Sequence, residues 1–176
     1  MSHPEDPIAA RTQWTPLVPG GANFITDHLF EEGPSRFVFH PTTSLRLFGL
    51  AFLVVGLGCM AAGPLLHIPF MIVFGLPFVG VGIAVLAHRT SVFDGPARSY
   101  VSKKKRVVPF AEIHALQIVK ETVSGSEDPD FDSYELNLVL QSGERINVVD
   151  HIGLEEIRTD AQILSKLINC KVWDAK

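Results

Sequence analysis

Seven histidines, two cysteines and 19 acidic side chains are the groups in this 176-residue chain that could do acid–base, nucleophilic or metal chemistry. Such chemistry needs them gathered: a nucleophile beside a base, or three or four ligands at motif spacing. His28, His40, His88, His114 and His151 stand singly in different stretches, with no His-x-His or Cys-x-x-Cys pair. Asp150 and His151 are adjacent, but neighbours along a strand point to opposite faces, so a turn or capping role is expected of them. Cys59 falls in an apolar run and Cys170 near the C-terminus, neither with an activating partner or a plausible disulfide mate. Glu127, Asp128, Asp130 and Asp132 crowd one loop but lack the glycine and closing glutamate of a calcium loop. Gly20-Gly21 is not followed by the spacing and lysine of a phosphate loop. The reading is therefore a protein without catalytic residues, metal or cofactor. The one dense charge cluster is Lys103, Lys104, Lys105 and Arg106, which suits contact with anionic lipid head groups. A net charge of −4 provides no basic field for nucleic acid.

These side chains are placed by an arrangement dominated by one stretch. Between Arg46 and Arg89 there is no Asp, Glu, Lys or Arg. A hydrocarbon core about 30 Å thick is crossed by roughly 20 helical residues, so the stretch is long enough for two passes. Gly63, Pro64, His67 and Pro69 punctuate its middle, predicting a transmembrane hairpin over 44–88 with passes at about 45–65 and 68–87. Gly58 with Ala62, and Gly80 with Ala84, have the four-residue spacing that lets helices approach closely. They are expected to pack the two helices on each other, or to dock a partner's membrane helix. Only His67 is ionisable inside the span, which argues against an ion path. The apolar run begins more than forty residues in and is followed at once by a second, so no cleavable signal peptide is expected.

Residues 1–21 hold Pro4, Pro7, Pro16, Pro19 and Gly20-Gly21, predicting a flexible tail that Trp14 and Leu17 could pin down. Residues 22–43 read as two strands, at 23–31 and 36–40, with Phe37 and Phe39 alternating in the second. Residues 89–176 carry the rest of the domain. Short strands are expected at 90–93 and 99–102, then a strand at 114–123 and a mobile acidic loop at 124–133. A hairpin follows, with Tyr134, Leu136, Leu138 and Leu140 on its one buried face and Glu135, Asn137 and Gln141 on the other. Leu154, Ile157, Ala161, Leu164 and Ile168 form one apolar stripe, predicting a helix over 153–169. Val172 and Trp173 are expected to cover the end of the core.

Seven short strands closed by a C-terminal amphipathic helix, with the segments Ser91-Val92-Phe93-Asp94, Val108-Pro109-Phe110-Ala111-Glu112-Ile113 and Tyr134-Glu135-Leu136-Asn137-Leu138 followed by the Ser142-Gly143 turn, resemble bacterial membrane-anchored pleckstrin-homology-like proteins. The resemblance covers most of the chain after Phe37. It implies a membrane α+β fold in which a transmembrane hairpin is inserted in a small β-barrel or sandwich. More distantly, the chain is similar to two-helix assembly factors of photosystem I and of mitochondrial respiratory complexes. That likeness implies a non-enzymatic accessory or assembly role toward an integral membrane complex, or self-association through the hairpin. Lipid-surface or ligand sensing through residues 103–106 is the alternative.

Positive charge flanks both ends of the apolar stretch, with Arg11, Arg36 and Arg46 before it and Arg89, Arg98 and residues 103–106 after it. The positive-inside bias therefore places both termini in the cytoplasm of a bacterial inner membrane protein. Reporter tags fused to the two ends should signal from the same, cytoplasmic side, and signals from opposite sides would exclude a two-pass insertion.

Overall fold

A computed structural model describes residues 6–21, 25–124 and 130–174. It is an α+β structure that divides into two units, 1–40 with 90–176, and 41–89.

The larger unit contains two sheets. In the first, β1 (Asp27–Gly33), β2 (Arg36–Pro41), β3 (Ser91–Asp94), β4 (Ser99–Val101) and β5 (Val107–Pro109) lie in sequence order. β2 and β3 pair antiparallel although almost fifty residues separate them, with Phe37 opposite Phe93 and Phe39 opposite Ser91. The second sheet contains β6 (Ile113–Val123), β7 (Phe131–Leu140), β8 (Arg145–His151) and β9 (Lys171–Asp174), in the order β8-β7-β6-β9. A helix, α4 (Leu154–Ile168), precedes β9. Glu155 and Glu156 in its first turn and Lys166 in its last suit the helix dipole, and Asn169 ends it in the left-handed region.

One core joins the two sheets to α4. Phe39, Phe93 and Tyr100 from the first sheet meet Leu116, Ile118, Leu136 and Leu138 from the second, and Ile157, Ala161 and Leu164 from the helix. Burial among the rings pushes the Tyr100 hydroxyl up to about 12. Where a small barrel or sandwich of seven strands is expected, the described residues form two separate sheets of nine strands in all, β5 and β9 being additional. The additional strand β9 is parallel to β6, with Trp173 opposite Gln117. Trp173 thus faces away from the main core and belongs to a smaller cluster with Ala9, Ala115 and Val139. The first strand begins at Asp27, and positions 23–24 of the expected strand lie outside the described residues, as do 125–129 of the acidic loop.

The residues expected to be a flexible tail also carry structure. A short helix, α1 (Pro7–Arg11), starts at Asp6, whose side chain accepts from the Ile8 and Ala9 N–H groups, with Pro7 at the first helical position.

The smaller unit is a pair of helices, α2 (Thr43–Leu65) and α3 (Phe70–Leu86). By length and composition α2 is apolar and long enough to cross a membrane, whereas α3, at 17 residues, is shorter than the expected 68–87. α2 runs through Gly63 and Pro64, and the turn comes at 66–69, where His67 has φ +56°. The antiparallel seam between the helices is lined by Gly49, Gly56 and Gly63 against Gly75 and Gly82. A Cβ on Gly56 would lie 2.7 Å from Val79 N, and one on Gly82 would lie 2.8 Å from Gly49 O. These glycines recur every seven residues, the period of helices packed in a left-handed pair. Gly58 and Gly80 have open space around them. Gly58 and Gly80 therefore lie off the seam, a correction to the reading in which Gly58, Ala62, Gly80 and Ala84 join the two helices, while Ala84 is exposed and Ala62 half-buried. Leu47, Leu50, Val54, Val73, Leu76 and Ile83 are exposed as well.

Overpacking a close helix contact costs about 1–3 kcal/mol. Gly56→Leu and Gly82→Leu should each lower the thermal stability of the purified helix pair by that order, while Gly58→Leu and Gly80→Leu should leave it unchanged in thermal unfolding of the monomer in detergent.

Candidate functional site

Asp150 and His151 sit at the end of β8 opposite Glu135 and Tyr134, on the two faces of the second sheet. Asp150 accepts from Asn147 Nδ2 at 2.9 Å, and burial raises its carboxyl above the ordinary range. His151 is buried and its Nδ1 accepts from the Gly153 N–H at 3.0 Å, while burial lowers its pKa. They form no acid–base pair, since pleating separates them and each bonds elsewhere, Asp150 to Asn147 and His151 to Gly153. His151 borders an open cleft of about 310 Å³ with His28, Glu155, Glu156 and Asp160. Burial, with Glu156 nearby, raises the Asp160 carboxyl to about 6. Among the described residues no three His, Cys, Asp or Glu side chains are placed to hold a metal ion. Burial lifts the Cys170 thiol to about 11, so it is a poor nucleophile at neutral pH.

The basic run forms the turn between β4 and β5, with Lys105 at φ +65°. Lys103 Nζ lies 3.0 Å from Asp27 Oδ2, a fully buried carboxylate, and Arg106 pairs with Glu144. Arg106 holds the Glu144 carboxyl below the usual range. Two of the four charges are thus spent inside the domain, and Lys104 and Lys105 remain for a surface contact. Lys103, Lys104 and Arg106 border a cleft of about 360 Å³ with Arg145 and Asn147.

The most developed polar constellation lies on the outer face of the second sheet, which the sequence pattern assigned to solvent. Glu135, Gln117 and Asn137 are 4%, 0% and 0% exposed. They are covered by residues 6–21, which cross the sheet as a strap. Glu135 accepts from the backbone N–H of Leu17 at 2.8 and 2.9 Å and of Val18 at 2.8 Å, and also from the Asn137 amide. Gln117 Nε2 donates to Gln13 O at 3.0 Å, Arg145 Nη1 to Thr15 O at 2.7 Å, and Gly20 N to Glu121 Oε1 at 3.1 Å. At the strap's start His114 Nε2 lies 2.8 Å from Asp6 Oδ2, and Trp14 lies on Trp173 with ring centroids 6.1 Å apart. Desolvation alone would raise the Asp6 carboxyl, but hydrogen bonds from His114, Ile8 and Ala9 outweigh it and hold the group below the usual carboxylate range.

Trp14 and Leu17 were the only signals of this docking in the sequence, and Leu17 contributes its backbone while its side chain remains 39% exposed. No family model matches the chain, and no curated protein matches it.

Asp160 supplies a pH test. A carboxyl raised to about 6 in the folded state penalises folding above that pH and leaves it unpenalised below the unfolded value of 3.8. Asp160→Asn should therefore raise stability at pH 7.5, by about 1 kcal/mol once solvent screening is allowed for, and have no effect at pH 3.5, as measured by thermal unfolding at the two pH values.

Proposed function

We propose that this chain is a non-enzymatic, membrane-anchored interaction module, an accessory subunit or assembly factor of an integral membrane complex in the bacterial inner (cytoplasmic) membrane. In this reading α2 and α3 form a two-pass transmembrane hairpin inserted in a pleckstrin-homology-like sandwich, with both chain ends in the cytoplasm. The sandwich reading draws on two sheets over one core with a C-terminal helix against it.

The observation that carries the reading is the outer face of the helix pair. Its seam is filled by Gly49, Gly56, Gly63, Gly75 and Gly82, yet Gly58 and Gly80 still have open space around them among exposed apolar side chains. Small residues on a lipid-facing surface let another helix approach closely where hydrophobic driving force is absent. At 1.5 Å per residue α3 is about 26 Å long, within the range that spans a bilayer core.

Lipid-surface sensing through residues 103–106 has less support, because Lys103 and Arg106 are held by Asp27 and Glu144. Charge reversal confined to Lys104 and Lys105 leaves those pairs intact and tests it by vesicle flotation.

Purification in mild detergent followed by mass spectrometry should recover a stoichiometric membrane complex. Gly58→Leu with Gly80→Leu should release the partner while leaving the helix pair folded. Recovery of the lone chain under conditions that preserve membrane complexes would refute the module reading.

A further inference from the structure

The strap that covers the second sheet is bound in an unusual way. From residue 13 onward its polar anchors are backbone groups: the carbonyls of Gln13 and Thr15 and the N–H groups of Leu17, Val18 and Gly20. The sheet reads them with side chains, Gln117, Arg145, Glu135 and Glu121. Meanwhile the apolar side chains of Leu17 and Val18 stay exposed, at 39% and 47%, and beyond residue 12 it is Trp14 that rests a side chain on the sheet, against Trp173. Recognition of this kind depends on extended backbone and hardly on sequence, as when a peptide is added to a sheet by its main chain.

The same face also holds groups that the strap leaves unused. Asn137, Gln117 and Trp173 lie in one row across β7, β6 and β9. Trp173 Nε1 and Asn137 Oδ1, both in side chains fully removed from solvent, have no hydrogen-bond partner among the described residues. Buried polar groups are nearly always paired, because each one left unmade costs the full desolvation of its group. One donor and one acceptor beneath the strap therefore mark a face equipped for more than the strap supplies.

We infer that the outer face of the β8-β7-β6-β9 sheet is a docking groove for an extended peptide segment of a partner protein, which replaces residues 13–20 on the same backbone-reading side chains and brings an acceptor to Trp173 Nε1 and a donor to Asn137 Oδ1. The inference rests on the reading of the chain as an interaction module and names the surface that reading would use outside the helices. The strap is the resident competitor. Exchange gives back every backbone bond that it breaks, so the two unspent groups and the partner's side chains, set against the lost Trp14 contact, decide the outcome. The fitting segment is extended, presents two consecutive backbone N–H groups to Glu135, and carries Asn, Gln, Ser or Thr where the strap offers Trp14.

The test uses the full chain in detergent, with Asp6→Ala and Trp14→Ala to loosen the strap and circular dichroism to confirm the fold. Displayed random peptides are selected against it, and their affinities are read by fluorescence anisotropy beside a labelled peptide of residues 6–21. Selected peptides should lose about tenfold in affinity on Glu135→Gln and again on Trp173→Phe, each of which removes one hydrogen bond to a buried partner. The 6–21 peptide should lose affinity on Glu135→Gln and lose clearly less than the selected peptides on Trp173→Phe, because its docked form touches that ring through Trp14 without using the N–H. If the doubly loosened chain unfolds, the same readings are taken with Trp14→Ala alone. Failure to select any peptide, or selected peptides indifferent to Trp173→Phe, would overturn the groove. A membrane complex that co-purifies undiminished with Glu135→Gln and Trp173→Phe would also overturn it, while leaving the module reading intact.

Discussion

The pairing of β2 with β3 is the constraint on which the rest of the structure depends. Phe39 lies opposite Ser91, so the chain leaves the first sheet and rejoins it at one place after an excursion of almost fifty residues. A flexible insertion of that length would cost about 3.5 kcal/mol in closure entropy, before any constant term. The insertion is not flexible. Two antiparallel helices whose glycines admit each other's backbone return the chain to its starting point, and the closure is settled within the helix pair itself. Under the proposed membrane reading the same register has a topological consequence. Strands that are hydrogen-bonded neighbours lie on one side of a bilayer, so only an even number of crossings can separate them.

Burial on both faces of the second sheet follows a different logic. Its inner face is an ordinary aliphatic layer of Leu116, Ile118, Leu136 and Leu138. Its outer face is polar and equally dry, which is tolerable because most of its polar groups are paired, Trp173 Nε1 and Asn137 Oδ1 being the exceptions. An ionised carboxylate removed from water needs several donors, and Glu135 finds two backbone N–H groups and an amide. The strap's role in the free domain is therefore to supply hydrogen bonds, with Ala9, Trp14 and Trp173 adding a small apolar clasp at one end.

The sequence discloses those parts of the structure in which a side chain's own type determines its place. The uncharged run gives both helices, the alternation of Phe37 and Phe39 gives β2, and the stripe from Leu154 to Ile168 gives α4 to within a residue at each end. Other parts depended on partners far along the chain. Lys103 and Arg106 read as a surface patch because Asp27 and Glu144, which neutralise them, lie 76 and 38 residues away. The strap left almost no pattern, since it is held through main-chain atoms that every residue possesses. The helix seam was visible as glycines seven apart, but the more familiar four-residue spacing competes with it, and only the packed pair distinguishes inner glycines from outer ones.

β9 places residue 173 beneath residue 14, and this has a consequence for the order of synthesis. A ribosome makes chains from the N-terminus at about 5–20 residues per second, and domains form as their parts emerge. The sheet that receives residues 6–21 is incomplete until β9 has been translated. The strap therefore spends the making of residues 22–170 without its resting place on Trp173, and whatever meets it during those seconds meets it before that ring can.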